Sequence, residues 1–132
     1  MKKILTVVSV SLILAACGGS GGGLNKDSKV DFYMDAATLN ALDASNDEAK
    51  IKEHDDKVIE TKGVIKSFKE AKHSSSPNKY SFYLCVAATD EDTDCIICYT
   101  DKSPETFVGK TVTVKGKMSY AGVITLINCA VY

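Results

Sequence analysis

The five cysteines carry the most distinctive chemistry of this sequence. Cys95 and Cys98 have the C-x-x-C spacing of thiol redox sites, in which a helix N-terminus stabilises the reactive thiolate. Here both residues fall on a predicted strand, where side chains three positions apart point to opposite faces. A zinc site needs further ligands, and His54 and His73 lie in distant predicted loops. The spacing therefore indicates structural cysteines and predicts no metal.

Acidic residues form a second candidate cluster. Carboxylates with part of the spacing of an EF-hand calcium loop occur at Asp90, Asp92, Asp94 and Asp101. The position that requires glycine is Cys95, so a solvated hairpin turn explains these residues better. Outside the glycine-rich stretch at 18–23, where the letters GGSGG match the pattern only as linker composition, the sequence contains no G-x-S-x-G motif, and it has no phosphate loop. We therefore expect a protein that is not an enzyme and that uses no cofactor.

The N-terminal segment has the layout of an export signal. Lys2 and Lys3 precede an apolar run that ends in the letters LAAC at Cys17. The run is shorter than the roughly 20 residues of a transmembrane helix. Its end resembles the bacterial lipobox, in which the cysteine is diacylated and becomes the mature N-terminus. We predict that residues 1–16 are a removable signal peptide and that Cys17 carries acyl chains such as palmitate.

The composition after Cys17 predicts a tether and then one domain. Glycine and serine dominate residues 18–23, and such a run behaves as a flexible linker. We assign residues 17–29 to the lipidated cysteine with its tether and residues 30–132 to one domain. Gly18 in place of aspartate resembles the signal for the outer membrane. We expect a lipid-anchored protein of the cell envelope, which faces the periplasm if the cell is Gram-negative.

The charge pattern disfavours nucleic acid as a partner. The whole chain has a net charge of −1, and the predicted signal peptide removes Lys2 and Lys3 but none of the 17 acidic residues. The chain contains no arginine, the residue whose planar fork recognises phosphate and guanine. The mature protein is therefore more acidic than the whole chain, and it lacks the usual phosphate-binding side chain.

The element pattern predicts a mainly β fold. Residues 35–53 indicate one or two short amphipathic helices with a break at residues 45–47. Beyond them, stretches rich in β-branched and aromatic residues predict five strands, at 58–68, 79–88, 95–100, 110–120 and 123–132. Gly63 and Gly116 lie inside strands, where they favour the coiling of a small closed barrel. We predict a five-stranded OB-type Greek-key barrel preceded by one or two short helices.

The strand segments resemble the tRNA-anti-like family of bacterial OB-fold lipoproteins. The resemblance rests on the letters VGKTVTVKG at 108–116 and LINC at 126–129, with weaker likeness at 56–63 and 80–98. It implies an OB fold in a lipoprotein. The family name records a likeness to anticodon-binding domains, and the family has no settled biochemical function. Met118 stands where many members have another cysteine.

An even number of cysteines after Cys17 predicts disulfides. A hairpin register that aligns Leu84 with Cys98 turns both inward, where Cys98 meets Cys129 of the last strand. Cys85 and Cys95 then lie on the opposite face as near diagonal neighbours. We predict the pairs Cys98–Cys129 and Cys85–Cys95. The alternative is a pair of small buried thiols.

The same register places Tyr83 opposite Tyr99, with both side chains outside the barrel. The second and third strands carry the usual ligand face of OB barrels, so this pair is the predicted contact point. The alternative is that the pair packs under the N-terminal helices around Leu39 and Leu42.

The expected function is a non-enzymatic binding or interaction module. Its partners are the membrane, through the lipid anchor, and a protein, glycan or small ligand. The alternative is an OB domain that binds single-stranded nucleic acid through stacking aromatics. Salt-dependent binding of oligonucleotides separates the two.

Overall fold

The computed structural model describes residues 23–71 and 78–132. The predicted signal peptide and Cys17 lie outside these ranges. The described elements are β1 (Phe32–Tyr33), α1 (Ala36–Ser45), α2 (Glu48–His54), β2 (Val58–Glu70), β3 (Tyr80–Cys85), β4 (Ile96–Thr100), β5 (Thr111–Tyr120) and β6 (Ile124–Val131). Within the same ranges, no helix is long and apolar enough to cross a bilayer.

Five strands close into a barrel. They are hydrogen-bonded in the order β2, β3, β4, β6, β5, and β5 pairs in turn with β2. Every pairing in the ring is antiparallel except that of β4 with β6, which is parallel. This is the predicted OB-type barrel. The two-residue strand β1, which was not predicted, lies parallel to β2.

The barrel interior is filled by alternate residues of every strand. Because successive side chains of a strand point to opposite faces, one set faces inward and the other outward. The buried cluster includes Ile59, Ile65, Phe82, Leu84, Ile96, Val112, Val114, Met118, Ile124 and Leu126. Burying one such large side chain contributes about 1.5–3 kcal/mol, so this interior is the main source of stability.

The two predicted helices form, and the predicted break falls between them. The carboxylates of Asp35 and Asp47 accept backbone N–H groups at the starts of α1 and α2. Asn46 ends α1 in the left-handed conformation, with φ of 56°. Leu39 and Ile51 are fully buried and extend the barrel core.

The connections between strands define two ends of the barrel. At the helical end lie α1, α2, the β3–β4 loop and the β5–β6 turn. The carboxylates of Asp43 and Asp55 hold the helices there, by accepting the N–H groups of Ile124 and Tyr120. At the opposite end lie the end of β2, the start of β3, the β4–β5 connection and the last residues of β6, and we call it the tether end.

Residues 24–31, which we call the strap, run along the outside of the barrel. The N–H of Leu24 donates to the carbonyl of Asn128 over 3.0 Å. Further along, the N–H of Asp31 donates to the carbonyl of Val58 over 2.9 Å. The strap therefore leads from the tether end to the start of β2.

A buried lysine fixes the middle of the strap. The Lys115 side chain is almost wholly buried, and its Nζ donates to the carbonyls of Lys26 and Ser28, each over 2.6 Å. The carboxylate of Glu60 lies 4.0 Å from the same nitrogen. Lys26 and Ser28, which the sequence assigns to the tether of residues 17–29, are therefore held against the barrel.

Two glycines lie where the backbone and a sulfur leave no room for a side chain. A Cβ on Gly63 would lie 2.7 Å from the carbonyl oxygen of Cys85, and one on Gly116 would lie 2.6 Å from Sγ of Cys129. Gly116 coincides with a register shift between β5 and β6, as predicted. The register shift of β2 falls at Lys66 and not at Gly63.

Candidate binding surface

The β3–β4 hairpin carries the predicted contact residues in a register that differs from the prediction by two residues. Tyr83 pairs with Ile97, and Tyr99 pairs with Ser81. The predicted pairing of Tyr83 with Tyr99 is therefore wrong. A shift of two leaves every side chain on the same face, so hydrophobic alternation does not distinguish the two registers. The tyrosines remain on one face as diagonal neighbours.

Cys85 and Cys95 form a disulfide, as predicted. Their Cα atoms lie 4.5 Å apart, which is the spacing of residues directly opposite one another in a non-hydrogen-bonded antiparallel pair. They continue the observed register of the hairpin and are not diagonal neighbours. The cross-link therefore closes the loop 86–94 beside Tyr83 and Ile97.

The second predicted disulfide is wrong, because Cys98 and Cys129 are both free and buried. The parallel pairing of β4 with β6 aligns Cys98 with Leu126, so Cys129 lies further along β6, where its sulfur packs against Gly116. Burial, and then a hydrogen bond with the Cys129 thiol, raises the pKa of Cys98 well above its ordinary value. Cys98 and Cys129 are therefore two small buried thiols, which was the alternative to a disulfide.

A groove lies on the outer surface of β2, β3 and β4. Six side chains of the outward-facing set border it, namely Ser67, Lys69, Ser81, Tyr83, Ile97 and Tyr99. We call it the tyrosine groove. Its volume is about 110 Å³, whereas pockets for small molecules measure roughly 300–1,000 Å³. It has room for a single side chain or ring.

The helices leave the tyrosine groove open. Leu39 is buried in the barrel core and Leu42 packs against that core, and no residue of either helix borders the groove. Tyr83 and Tyr99 are half-buried and belong to no part of the core cluster. The alternative in which the helices cover the tyrosines is therefore wrong.

A lysine organises the acidic β3–β4 loop. Nζ of Lys66 donates to the carbonyl of Asp90 and to Oδ1 of Asp92, each over 2.7 Å. The hydrogen bond to Asp92 raises the pKa of Lys66. Oδ2 of Asp90 accepts the N–H groups of Val86 and Ala87. These contacts hold the β3–β4 loop in its conformation. Among the described residues, no group of side chains is suited to hold a metal ion.

A larger cleft, of about 600 Å³, lies at the tether end between the strap and the β4–β5 connection. Sequence reasoning did not find it, since distant segments form its walls. The buried side-chain amide of Asn78 donates to carboxylate Oδ1 of Asp101 over 3.2 Å and to Oδ1 of Asn128 over 3.3 Å. These hydrogen bonds join the connections that meet at this end.

His54, the last residue of α2, has a structural role. The ring of His54 lies against Phe32 with centroids 4.3 Å apart, and its Nδ1 lies 2.8 Å from the carbonyl oxygen of Lys50.

Neither protein-family models, nor curated proteins, nor solved structures match this chain. No known protein therefore indicates what the tyrosine groove binds, and its proposed role depends on its geometry alone.

Proposed function

We propose that this protein is a lipid-anchored, non-enzymatic envelope protein that binds a protein partner through the tyrosine groove. The observation that carries the proposal is an open groove of about 110 Å³ bordered by Tyr83 and Tyr99 on the outer face of the barrel. Its size suits one inserted side chain rather than a whole small ligand. Tyrosine contributes apolar area and a hydroxyl at little cost in rotamer entropy, which makes it a frequent anchor of protein interfaces.

The cross-linked hairpin supports this role. The Cys85–Cys95 disulfide is adjacent to the Tyr83–Ile97 pair on the same face of the hairpin. Lys66 holds the loop that the disulfide closes. A surface that is rigid before binding loses less conformational entropy when the partner arrives. The groove is therefore preorganised for contact.

The N-terminal sequence supports the membrane setting. The letters LAAC at Cys17 resemble a lipobox, and several acyl chains hold a protein on a bilayer where one chain gives only reversible binding. Gly18 favours the outer membrane, facing the periplasm in a Gram-negative cell. The resemblance to the tRNA-anti-like lipoproteins, carried by residues 108–116 and 126–129, supports the same setting.

The second candidate function is binding of single-stranded nucleic acid. The observation that favours it is the stacking surface of Tyr83 and Tyr99 beside Lys69. Two observations weigh against it. The chain has no arginine, and Lys66 is paired with Asp92 at 2.7 Å. A fluorescent oligothymidine is the direct probe. We expect no binding at low salt, and a steep loss of affinity with added salt would support this second function instead.

The main test is site-specific photocrosslinking in cells that express the full chain. Benzoylphenylalanine in place of the exposed Ser67 lies at the groove, and the same group in place of the exposed Lys62 lies outside it. We expect a discrete protein adduct from position 67 and none from position 62. Tyr83→Ser with Tyr99→Ser removes the adduct, whereas Tyr33→Ser, at a tyrosine 73% exposed elsewhere, preserves it. The same adducts from both positions, or adducts that survive the double substitution, would contradict the proposal.

A further inference from the structure

The strap determines the end of the barrel at which the chain leaves toward its N-terminus. Gly23 and Leu24 lie at Asn128, beside the cleft of the tether end. The buried Lys115 ammonium holds the carbonyls of Lys26 and Ser28. The exit point is therefore fixed on the barrel surface.

The chain between this exit and the predicted anchor is short. A fully extended chain covers at most about 3.5 Å per residue, so the path from Cys17 to Gly23 spans at most about 21 Å. That distance is smaller than the diameter of a small domain, which is about 30 Å. Acyl chains on Cys17 therefore keep the tether end close to the bilayer.

The two ends of the barrel differ in charge. At the helical end the exposed carboxylates are Asp47, Glu48, Glu53, Glu91, Asp92 and Asp94, and they outnumber the exposed lysines Lys50, Lys52 and Lys57. At the tether end the exposed lysines Lys26, Lys79, Lys102 and Lys110 are equal in number to the exposed acids Asp27, Glu70, Asp101 and Glu105. An anionic surface therefore repels the helical end but not the tether end as a whole, and the exposed Lys26 and Lys102 beside the chain exit supply the local attraction.

We propose that the tether end of the barrel lies against an anionic phospholipid surface, which Lys26 and Lys102 contact, while the helical end points away from it. Both lysines are exposed and border the cleft next to the chain exit. The inference rests on the proposed acylation of Cys17. It leaves the tyrosine groove on the side wall of the barrel, where it remains accessible to a second protein.

Energy transfer from the barrel to the membrane surface tests the orientation. The full acylated protein is labelled with a donor dye at Ser103→Cys on the tether end or at Ala49→Cys on the helical end. Both positions are exposed, and the native free thiols are buried. The labelled proteins are inserted into phosphatidylcholine vesicles, with or without phosphatidylglycerol, that carry an acceptor dye on lipid headgroups. We expect several-fold more transfer from position 103 than from position 49 when phosphatidylglycerol is present.

Charge variants separate electrostatic attraction from the tether alone. Lys26→Gln with Lys102→Gln removes the two ammoniums but keeps the backbone carbonyl of Lys26 that binds Lys115. We expect this variant to reduce the difference between the labels in phosphatidylglycerol vesicles to the value that wild type shows in pure phosphatidylcholine vesicles. The matched variant Lys50→Gln with Lys52→Gln, at the helical end, should keep the difference in energy transfer between the two labels. Salt near 1 M, where the Debye length is about 3 Å, has the same effect as the tether-end variant.

The possible outcomes distinguish this inference from the proposed function. Mass spectrometry of the purified protein first shows whether Cys17 carries acyl chains. An unmodified Cys17 overturns both the anchor and the orientation. With acyl chains present, equal transfer from positions 103 and 49, or more transfer from 49, overturns the orientation alone. Equal effects of the two lysine pairs overturn the role of Lys26 and Lys102.

Discussion

Cys85 and Cys95 face one another directly across the β3–β4 hairpin, with Cα atoms 4.5 Å apart. The next pair on the same face is Tyr83 with Ile97, which borders the tyrosine groove. The cross-link therefore continues the hairpin register and holds the two strands together beside the proposed binding surface.

Loss of this disulfide is expected to destabilise the fold. The bond joins residues 10 positions apart, and the loop-entropy relation gives about 2–3 kcal/mol for a loop of this size. Cys85→Ser with Cys95→Ser should lower the free energy of unfolding by that amount in denaturant titration. The control is wild-type protein in a strong thiol reductant, which should match the variant. Equal stability of all three samples would contradict the structural role.

The two free thiols are expected to be unreactive in the folded protein. Cys98 and Cys129 are buried, and burial followed by their mutual hydrogen bond raises the pKa of Cys98. Because the thiolate is the nucleophile, an aromatic disulfide reagent should titrate both thiols only after denaturant is added. Fast reaction in buffer, or absence of both thiols under denaturing conditions, would show a different cysteine state.

The raised pKa of Cys98 also predicts a dependence of stability on pH. Its folded-state pKa lies above the ordinary value of 9.0, so the neutral thiol is favoured by folding. The stability that this provides is complete below pH 9 and is lost as the pH rises further, through the folded pKa. Melting temperatures between pH 7 and pH 11 should fall less for Cys98→Ala than for wild type. Parallel curves would contradict this linkage.

Strand alternation predicted the faces correctly, because the period of two is a local property of the chain. Phe82 is buried, and Tyr83 and Tyr99 are both on the outer face. The hairpin register was missed by two residues. It depends on the loop that Lys66 and Asp90 organise, and the contacts of Lys66 come from another strand.

Two further features were not predicted for the same reason, since both depend on contacts between segments that are distant in the sequence. The alignment of Cys98 with Leu126 follows from barrel closure by the parallel pairing of β4 with β6, which spacing along the chain does not determine. The docking of the strap depends on Lys115, a lysine in a strand whose partner carbonyls lie far away in sequence. Local pattern therefore predicted the barrel and the outward-facing side chains but not the packing between distant segments.

Replacement of Lys115 is expected to release the strap. Lys115→Met removes the donor to the carbonyls of Lys26 and Ser28, and leaving such groups without a partner costs about 1–3 kcal/mol. Trypsin should then cleave after Lys26 much faster than in wild type. The matched control is Lys117→Met, since the Lys117–Asp56 ion pair is exposed and such pairs contribute at most about 1 kcal/mol. Equal cleavage rates in the two variants would contradict the anchoring role.

Replacement of Cys17 is expected to abolish membrane attachment. Cys17→Ala removes the only proposed acceptor of lipid, so the full chain should lose incorporated fatty acid label and leave the membrane fraction. Cys98→Ala serves as the control and should keep both properties, since Cys98 is buried in the barrel. Membrane attachment of wild type without any fatty acid label would refute lipid anchoring.

Stability measurements on the tyrosines test whether the groove is a surface or part of the core. Tyr83 and Tyr99 are half-buried and lie outside the core cluster, so Tyr83→Ser with Tyr99→Ser should lower the free energy of unfolding by less than truncation of one core aromatic does. Phe82→Ala is the contrasting variant, because Phe82 lies next to Tyr83 on β3 but faces the barrel interior. Truncating such a core aromatic lowers the free energy of unfolding by about 3–5 kcal/mol. Both proteins are compared with wild type by thermal and denaturant unfolding. A loss in the double variant as large as that of Phe82→Ala would place the tyrosines in the core, and the groove would then no longer be a candidate binding site.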